Sequence, residues 1–266
     1  MNPSLSDSPP ETFTVGSDAQ ARRIAVRQRK GEAPGVFWLG GFKSDMKGTK
    51  AEALDQWGAA KGRMVTRFDY SGHGESGGAF VDGTIGKWLE ESLAVYRRYA
   101  KGPQIVVGSS MGGWMALLLA RELKKHKDAA PQDIAPLAGM VLIAPAPDFT
   151  EELMWKEFSP EIKREIEEKG SWARPSDYSE EPYIITRALI EDGRKHLVLG
   201  GLIETGCPVR ILQGVQDTDV PWGHAAELLT RFATDDVVFT LIKDGDHRLS
   251  RPEDIERLIA AVEELS

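Results

Sequence analysis

The sequence predicts an α/β fold: a mostly parallel, eight-stranded sheet flanked by helices on both faces, with a helical cap inserted before the last strands. Three observations carry this. Short β-branched apolar runs alternate with longer segments whose apolar residues recur at helical spacing, and a parallel connection needs a crossover long enough to be a helix. The alternation then stops for about sixty residues, in which charged helical patterns follow one another without a convincing strand. It resumes near the C-terminus with two more strand and helix units.

Residues 1–11 read as a disordered tail. Residues 12–15 and 24–28 are expected as two edge strands joined through the Gly16-Ser-Asp18 turn signal. Val36-Phe-Trp-Leu39 is a strand that stops at Gly40-Gly41, and a helix follows over residues 50–61 with Ala53, Leu54 and Trp57 at helical spacing. The strand Met64-Val-Thr-Arg-Phe68 runs into the glycine-rich turn Asp69-Tyr-Ser-Gly72-His-Gly74-Glu-Ser76. Residues 85–101 repeat the helical period through Trp88, Leu89, Leu93, Val95 and Tyr96. Next come a strand over Gln104-Ile-Val-Val107, a helix over residues 111–123, a polar link over residues 128–136 and a strand over residues 139–144.

The cap is assigned to residues 145–206, with helical patterns at 151–158, 161–169 and 182–191, which leaves residues 12–144 and 207–266 as the core. Strands at 209–213 and 237–242 bracket a helix over about 223–232. The last helix, over residues 252–265, has Ser250 and Glu253 spaced as a capping box and Ile255, Leu258, Ile259 and Val262 on one face.

Composition narrows the classes. With 41% hydrophobic and 28% charged residues and a formal net charge of −8, the chain has no overall basic field to attract nucleic acid. No apolar run approaches the roughly 18 to 20 residues of a membrane span. Residues 1–20 hold neither Lys nor Arg nor a continuous apolar core, which argues against a secretory signal and an Arg-rich transit peptide. The single cysteine, Cys207, has no internal disulfide partner and reads as a packing residue. These features point to a reducing cytoplasm. The expected assembly, on which they do not bear, is a monomer or weak homodimer.

The chemistry centres on Gly108-Ser-Ser110-Met-Gly112, placed between the strand ending near Val107 and the helix opening at Met111. A serine on so sharp a turn projects its hydroxyl above the sheet edge, and the free N–H groups of the helix start can bond an oxyanion beside it. Gly74-Glu-Ser76-Gly-Gly78 matches the same pattern, but it lacks a strand before it and a helix after it, so Ser76 reads as a surface loop serine.

A serine nucleophile needs a histidine to take its proton and a carboxylate to orient that histidine, in the chain order Ser, acid, His. His247 follows a late strand in Asp244-Gly-Asp246-His247 and is the expected base. His73, His126, His196 and His224 fit structural or solvated roles, with a place at the rim of the site the alternative for His73. The acid is expected at Asp217, in the loop Gln213-Gly-Val-Gln-Asp217-Thr-Asp219-Val-Pro221, with Asp219 the weaker choice. The oxyanion donors are expected to be the N–H groups of Met111 and Phe42, the latter after Gly40-Gly41. Trp155, Trp172, Tyr178 and Tyr183 are candidates to line an apolar cleft under the cap, or simply to hold the cap together. The sequence has no metal motif, no paired cysteines and no phosphate-cradling glycine loop, so neither a metal nor a cofactor is expected.

These residues resemble the α/β-hydrolase superfamily, and more closely the abhydrolase-domain-containing protein ten family, whose animal members are mitochondrial palmitoyl-protein thioesterases, also known as acyl-glucuronide esterases. The likeness is carried by Arg67-Phe-Asp-Tyr-Ser-Gly72, Gly86-Lys-Trp88, Gly102 through Trp114, Ser176-Asp-Tyr-Ser179, Asp217 through Trp222, and Asp246-His-Arg248. It implies an α/β-hydrolase fold with Ser110, Asp217 and His247 at the triad positions, and it supports the cap. The expected function is a serine hydrolase that cleaves carboxylic ester or thioester bonds through an acyl-enzyme. Its expected substrate is a small-molecule acyl ester or thioester, with acylated protein a further candidate. The same triad also serves cleavage of a peptide or carbon–carbon bond and acyl transfer, and a non-catalytic binding protein on this scaffold is the rival from another class.

Overall fold

Eight strands pair in the order β1, β2, β4, β3, β5, β6, β9, β10. These are β1 (Glu11–Val15), β2 (Arg22–Arg29), β3 (Glu32–Leu39), β4 (Arg63–Phe68), β5 (Gln104–Ser109), β6 (Leu137–Ile143), β9 (Val209–Gly214) and β10 (Val237–Ile242). The structure is a computed structural model that describes residues 8–129, 134–175 and 182–266. β2 runs antiparallel to β1 and β4, and every other pairing in this sheet is parallel. The two N-terminal strands therefore form the antiparallel edge that the short polar Gly16 turn allows.

The helices α1 (Thr49–Lys61), α2 (Ile85–Tyr99), α3 (Met111–Ala129), α6 (Trp222–Arg231) and α7 (Pro252–Glu264) cover the sheet. Side chains alternate across a strand, and the core divides accordingly. Phe37, Leu39 and Val106 pack with Trp88, Tyr96, Trp114 and Leu118 of α2 and α3. Val36, Trp38, Ile105 and Val107 pack with Leu54, Trp57, Leu258 and Val262 of α1 and α7. Register aligns the strand ends: Leu39 pairs with Gly108, Ser109 with Ile143, and Ile143 with Leu212. The loops that follow these strands consequently open on one edge of the sheet, where α/β folds place their sites.

Three expectations are revised. α3 runs to Ala129 rather than stopping at residue 123. Its apolar period ends there, but Lys124, Lys125, Lys127 and Ala129 are good helix formers and carry the helix on; residues 130–133 of the expected polar link lie outside the described residues. The last helix is capped one residue later than read, because Pro252 takes the first helical position: Arg251 N–H donates to Asp254 Oδ2 at 3.3 Å, while Ser250 Oγ bonds Arg248 O. In the expected tail, Ser8 O accepts a bond from Arg27 and Glu11 already belongs to β1, whereas residues 1–7 lie outside the described residues.

Between β6 and β9 the chain forms a π-helical turn (Thr150–Trp155), α4 (Pro160–Lys169), β7 (Ser171–Arg174), β8 (Tyr183–Thr186) and α5 (Arg187–Gly193). β7 and β8 pair as an antiparallel hairpin, with Arg174 opposite Tyr183. The segment is therefore not purely helical. Residues 182–191, read as one helix, divide into a β-branched strand and a helix whose first turn is capped by Thr186 Oγ1. Asp148, fully buried with φ +57°, ties the start of this segment to its end by accepting N–H bonds from Val198 and Leu199 at 2.8 Å each. No helix among the described residues is long and apolar enough to cross a membrane.

Candidate active site

Ser110 occupies the tight turn between β5 and α3 with φ +55°, a backbone region that a residue bearing a side chain adopts only when its surroundings hold it there. Its N–H donates to Ile143 O at 2.9 Å, and its carbonyl accepts from Gly113 at 2.9 Å and Ala146 at 3.1 Å. Both flanking glycines are required by space. A Cβ at 108 would overlap the Gly112 carbonyl, and a Cβ at 112 the Leu39 carbonyl. Gly112→Ala is expected to cost about 1–3 kcal/mol of stability through this overlap. The denaturant midpoint is the measurement, and an unchanged midpoint would contradict the crowding.

The carboxyl ends of β9 and β10 deliver the partners. His247 Nε2 lies 3.2 Å from Ser110 Oγ, and His247 Nδ1 lies 2.8 Å from Asp217 Oδ2. Asp217 is 5% exposed, and its carboxylate also accepts Asp219 N–H at 3.0 Å, Val220 N–H at 2.8 Å and Gln213 Nε2 at 3.1 Å. With its oxygens accepting from these donors, the carboxylate takes the Nδ1 proton of His247 as a fourth hydrogen bond. The lone pair of the imidazole then sits on Nε2, facing the serine. Asp219, the weaker choice of acid, gives its N–H to Asp217 and lines the adjacent cavity instead. Asp246, next to His247, accepts Leu249 N–H at 3.0 Å and shapes the loop.

The loop after β3 approaches from the other side. Gly41 lies against Ser110, since a Cβ at 41 would stand 3.4 Å from Ser110 Cβ and 3.3 Å from Ser109 O. Ser44 N–H donates to Gly41 O at 3.1 Å, closing a four-residue turn over 41–44. A trans peptide sets its C=O and N–H on opposite sides. With Gly41 O facing into the turn, the Phe42 N–H of the same peptide faces out of it. Met111 N–H, the first of α3, has no intrahelical acceptor.

His73 stands behind this turn, in line with the structural reading and not with the rim alternative: it is 4% exposed, with Nε2 accepting Lys43 N–H at 3.0 Å and Nδ1 facing Ser71 O at 3.1 Å. Burial pulls its pKa down to about 4, so the ring stays neutral near pH 7. Ser76 is no free surface serine either. It accepts Ala25 N–H at 2.8 Å and donates to Asp69 O at 2.6 Å, fastening the glycine-rich turn to β2.

Comparisons with known proteins bear on the family and the fold. The profile of the alpha/beta hydrolase family matches residues 33–260. The human protein named palmitoyl-protein thioesterase ABHD10, mitochondrial, is 37% identical over 243 residues, spanning 91% of this chain and 76% of the human one. The structure of mouse alpha/beta hydrolase domain-containing protein 10 superposes with a TM-score of 0.81 at 33% identity, covering 96% of this chain and 98% of the mouse one. The chain belongs to the ABHD10 family of alpha/beta hydrolases. A crystal structure from Agrobacterium vitis S4 is more similar still, with a TM-score of 0.92 and 51% identity over 97% of this chain and 99% of that one. As an ABHD10-family member the chain is a hydrolase enzyme of the alpha/beta type.

In this ABHD10-family chain a cavity of about 170 Å³ opens on Ser110 and His247. Its walls are mostly apolar: Phe42, Met111, Phe149, Leu153, Met154 and Val220, with Tyr183 and Arg174 from the β7–β8 hairpin. Of the four aromatic candidates only Tyr183 lines it among the described residues. Trp172 packs on Phe158 at 5.2 Å, Trp155 lies under Arg194 at 4.8 Å, and Tyr178, with the rest of the Ser176-Asp-Tyr-Ser179 motif, lies outside the described residues. Phe149, Met154 and Arg174 were not foreseeable as wall residues, because their membership depends on how the inserted segment folds over the sheet.

The remaining histidines have other work. His224 Nε2 bonds Pro147 O at 2.7 Å and holds α6 to the loop after β6, and His196 sits 3.7 Å from Asp192. His126 has its side chain outside the described residues. Asp217, Asp219 and His247 bring three ligand-type atoms within 4.8 Å of one another. As a metal centre the set is poor, since Asp217 already accepts four hydrogen bonds and both nitrogens of His247 are engaged.

Proposed function

We propose that this chain is a serine esterase or thioesterase acting through an acyl-enzyme, with Ser110 as nucleophile, His247 as general base and Asp217 as the carboxylate that orients it. The observation that carries the reading is the continuous bond line from Asp217 Oδ2 through His247 to Ser110 Oγ at the floor of an apolar cavity. His247 Nε2 takes the hydroxyl proton as Ser110 attacks the acyl carbonyl, and the imidazolium is stabilised by Asp217. The Met111 and Phe42 N–H groups receive the oxyanion, with either donor contributing about 3–4 kcal/mol to the transition state. His247 then protonates the leaving alcohol or thiol, and a water activated by the same nitrogen releases the acid.

The mostly apolar wall supports an aliphatic or aromatic acyl group in the cavity, and the human relative's name brings thioesters into the substrate set. About 170 Å³ is small beside the roughly 300–1,000 Å³ of pockets that enclose drug-sized ligands. Acyl chains well short of palmitoyl are therefore the expected substrates. A series of p-nitrophenyl esters and acyl thioesters from acetyl to palmitoyl is expected to show kcat/KM peaking at short to medium chains. A maximum at palmitoyl would refute the size argument, and no turnover of any member would refute the function.

A further inference from the structure

We propose that His73 is a positioning residue for the oxyanion site: by accepting the Lys43 N–H, its Nε2 anchors the turn over residues 41–44 that carries the Phe42 N–H to the substrate oxyanion. The inference rests on the esterase reading above and adds to it a residue outside the triad and outside the donors.

The turn itself supplies the reason. Lys43 is its third residue and has φ +58°. A positive φ at that place marks the turn type that ordinarily wants glycine or asparagine there, and a lysine in that region is strained. Rotating the central peptide, between Phe42 and Lys43, would return Lys43 to negative φ and relieve the strain. The N–H of that very peptide is the one bound by His73 Nε2, at 3.0 Å. Rotation would replace the N–H with a carbonyl and set its oxygen against a lone pair. His73 therefore selects one of two turn conformations. The Gly41–Phe42 peptide keeps its direction in both, through the bond from Ser44 N–H to Gly41 O, so what the His73 bond sets for the Phe42 N–H is its place: it ties the turn that carries this donor to a buried ring.

His73 is itself held on every side. Nδ1–H donates to Ser71 O at 3.1 Å, which assigns the lone pair to Nε2, and Trp88 Nε1 donates to the same carbonyl at 3.2 Å. The ring meets Tyr70, Phe80 and Trp88 edge-on at 5.6, 5.2 and 5.2 Å between centroids. Phe42 packs on two of the same rings, Phe80 at 4.8 Å and Trp88 at 6.0 Å. The other end of the loop is fixed separately: Met46 N–H donates to Asp69 Oδ1 at 2.7 Å, and Met46 O accepts from Arg67 at 2.8 Å. Those ties do not reach the central peptide of the turn. Packing alone would be satisfied by a phenyl ring; only the ring nitrogen explains the bond to Lys43.

The test separates packing from positioning. His73→Phe keeps the aromatic volume and removes the acceptor, whereas His73→Gln places an amide oxygen near the position of Nε2. With a short p-nitrophenyl ester, H73F is expected to lower kcat about tenfold to a hundredfold, part of the loss seen when an oxyanion donor is removed outright, with KM within about twofold. Affinity for a trifluoromethyl ketone, which forms a tetrahedral adduct on Ser110, should fall in step with kcat, while inhibition by the product acid stays unchanged. H73Q should recover most of both. Active sites are counted by fluorophosphonate labelling, so that misfolded protein does not enter kcat; should H73F not fold, H73M takes its place. A kcat within about threefold of wild type, a kcat loss without loss of ketone affinity, or equal losses in H73F and H73Q would each overturn the inference. A wild-type enzyme inert toward all esters and thioesters would instead overturn the esterase reading.

Discussion

Ser110→Ala is expected to lower kcat on acyl esters by about 10⁶-fold while leaving the fold and its stability almost unchanged. The size follows from what is removed: loss of the serine from such a triad costs about as much as loss of the whole triad, because the three groups act as a unit. A residual rate about 10³–10⁴-fold above water should persist, supplied by the oxyanion donors and by substrate binding. Stability should hold because Ser110 Oγ has a single hydrogen-bond partner among the described residues, His247 Nε2 at 3.2 Å, while the turn is anchored by backbone bonds to Ile143, Gly113 and Ala146 that alanine retains. The measurement is kcat on p-nitrophenyl and thioester substrates beside a thermal melt, with fluorophosphonate labelling as the check on the nucleophile. Retention of more than a hundredth of wild-type kcat in a pure sample, or labelling that survives the substitution, would remove Ser110 from the mechanism.

How much of this was legible before the structure depends on the kind of signal. The sheet was legible because β-branched runs such as Val36 to Leu39 and Ile105 to Val107 are buried on both faces and bounded by glycine turns. The three side chains of the triad were legible because each follows a strand end, and strand ends in a parallel sheet share one edge. The hairpin of β7 and β8 was not, for two four-residue strands buried on one side at most leave no run long enough to separate from helix. In the sequence His73 is a histidine in a glycine turn and no more. Its acceptor role depends on Lys43, thirty residues earlier, and on three aromatic rings, Tyr70 of its own turn and Phe80 and Trp88 of two other segments. Local periodicity carries no trace of such a contact. The cavity wall failed to show for the same reason: Trp155 and Trp172 are as aromatic as Tyr183, and only the path of the inserted chain decides which of them faces Ser110.

Asp217→Asn is expected to lower kcat by about 10⁴-fold, and the loss should come from the histidine rather than from the carboxylate itself. In the native site Oδ1 takes the Asp219 and Val220 N–H groups, and Oδ2 takes His247 Nδ1 and Gln213 Nε2. An asparagine keeps its one oxygen where two backbone donors hold it, so its amide nitrogen must occupy the place of Oδ2. There it meets two further donors, Gln213 Nε2 and the Nδ1–H of His247. Gln213 is held by Gly214 O at 3.1 Å and Val220 O at 3.0 Å and has little freedom to turn away. His247 can respond by moving its proton to Nε2, which makes Nδ1 an acceptor and satisfies the amide. That tautomer presents N–H to Ser110 Oγ and has no lone pair to receive its proton. The imidazole would still be in place, and the geometry nearly unchanged, yet the base would be blocked. KM should change little, since Asp217 is buried and is not part of the cavity wall. Comparison with Asp217→Ala tests the tautomer directly. Without the amide the imidazole is free to hold its proton on either nitrogen, so the alanine variant should be no slower than the asparagine one. An asparagine variant within about tenfold of wild type would assign the orienting role to another group, Asp219 being the nearest carboxylate on the same loop.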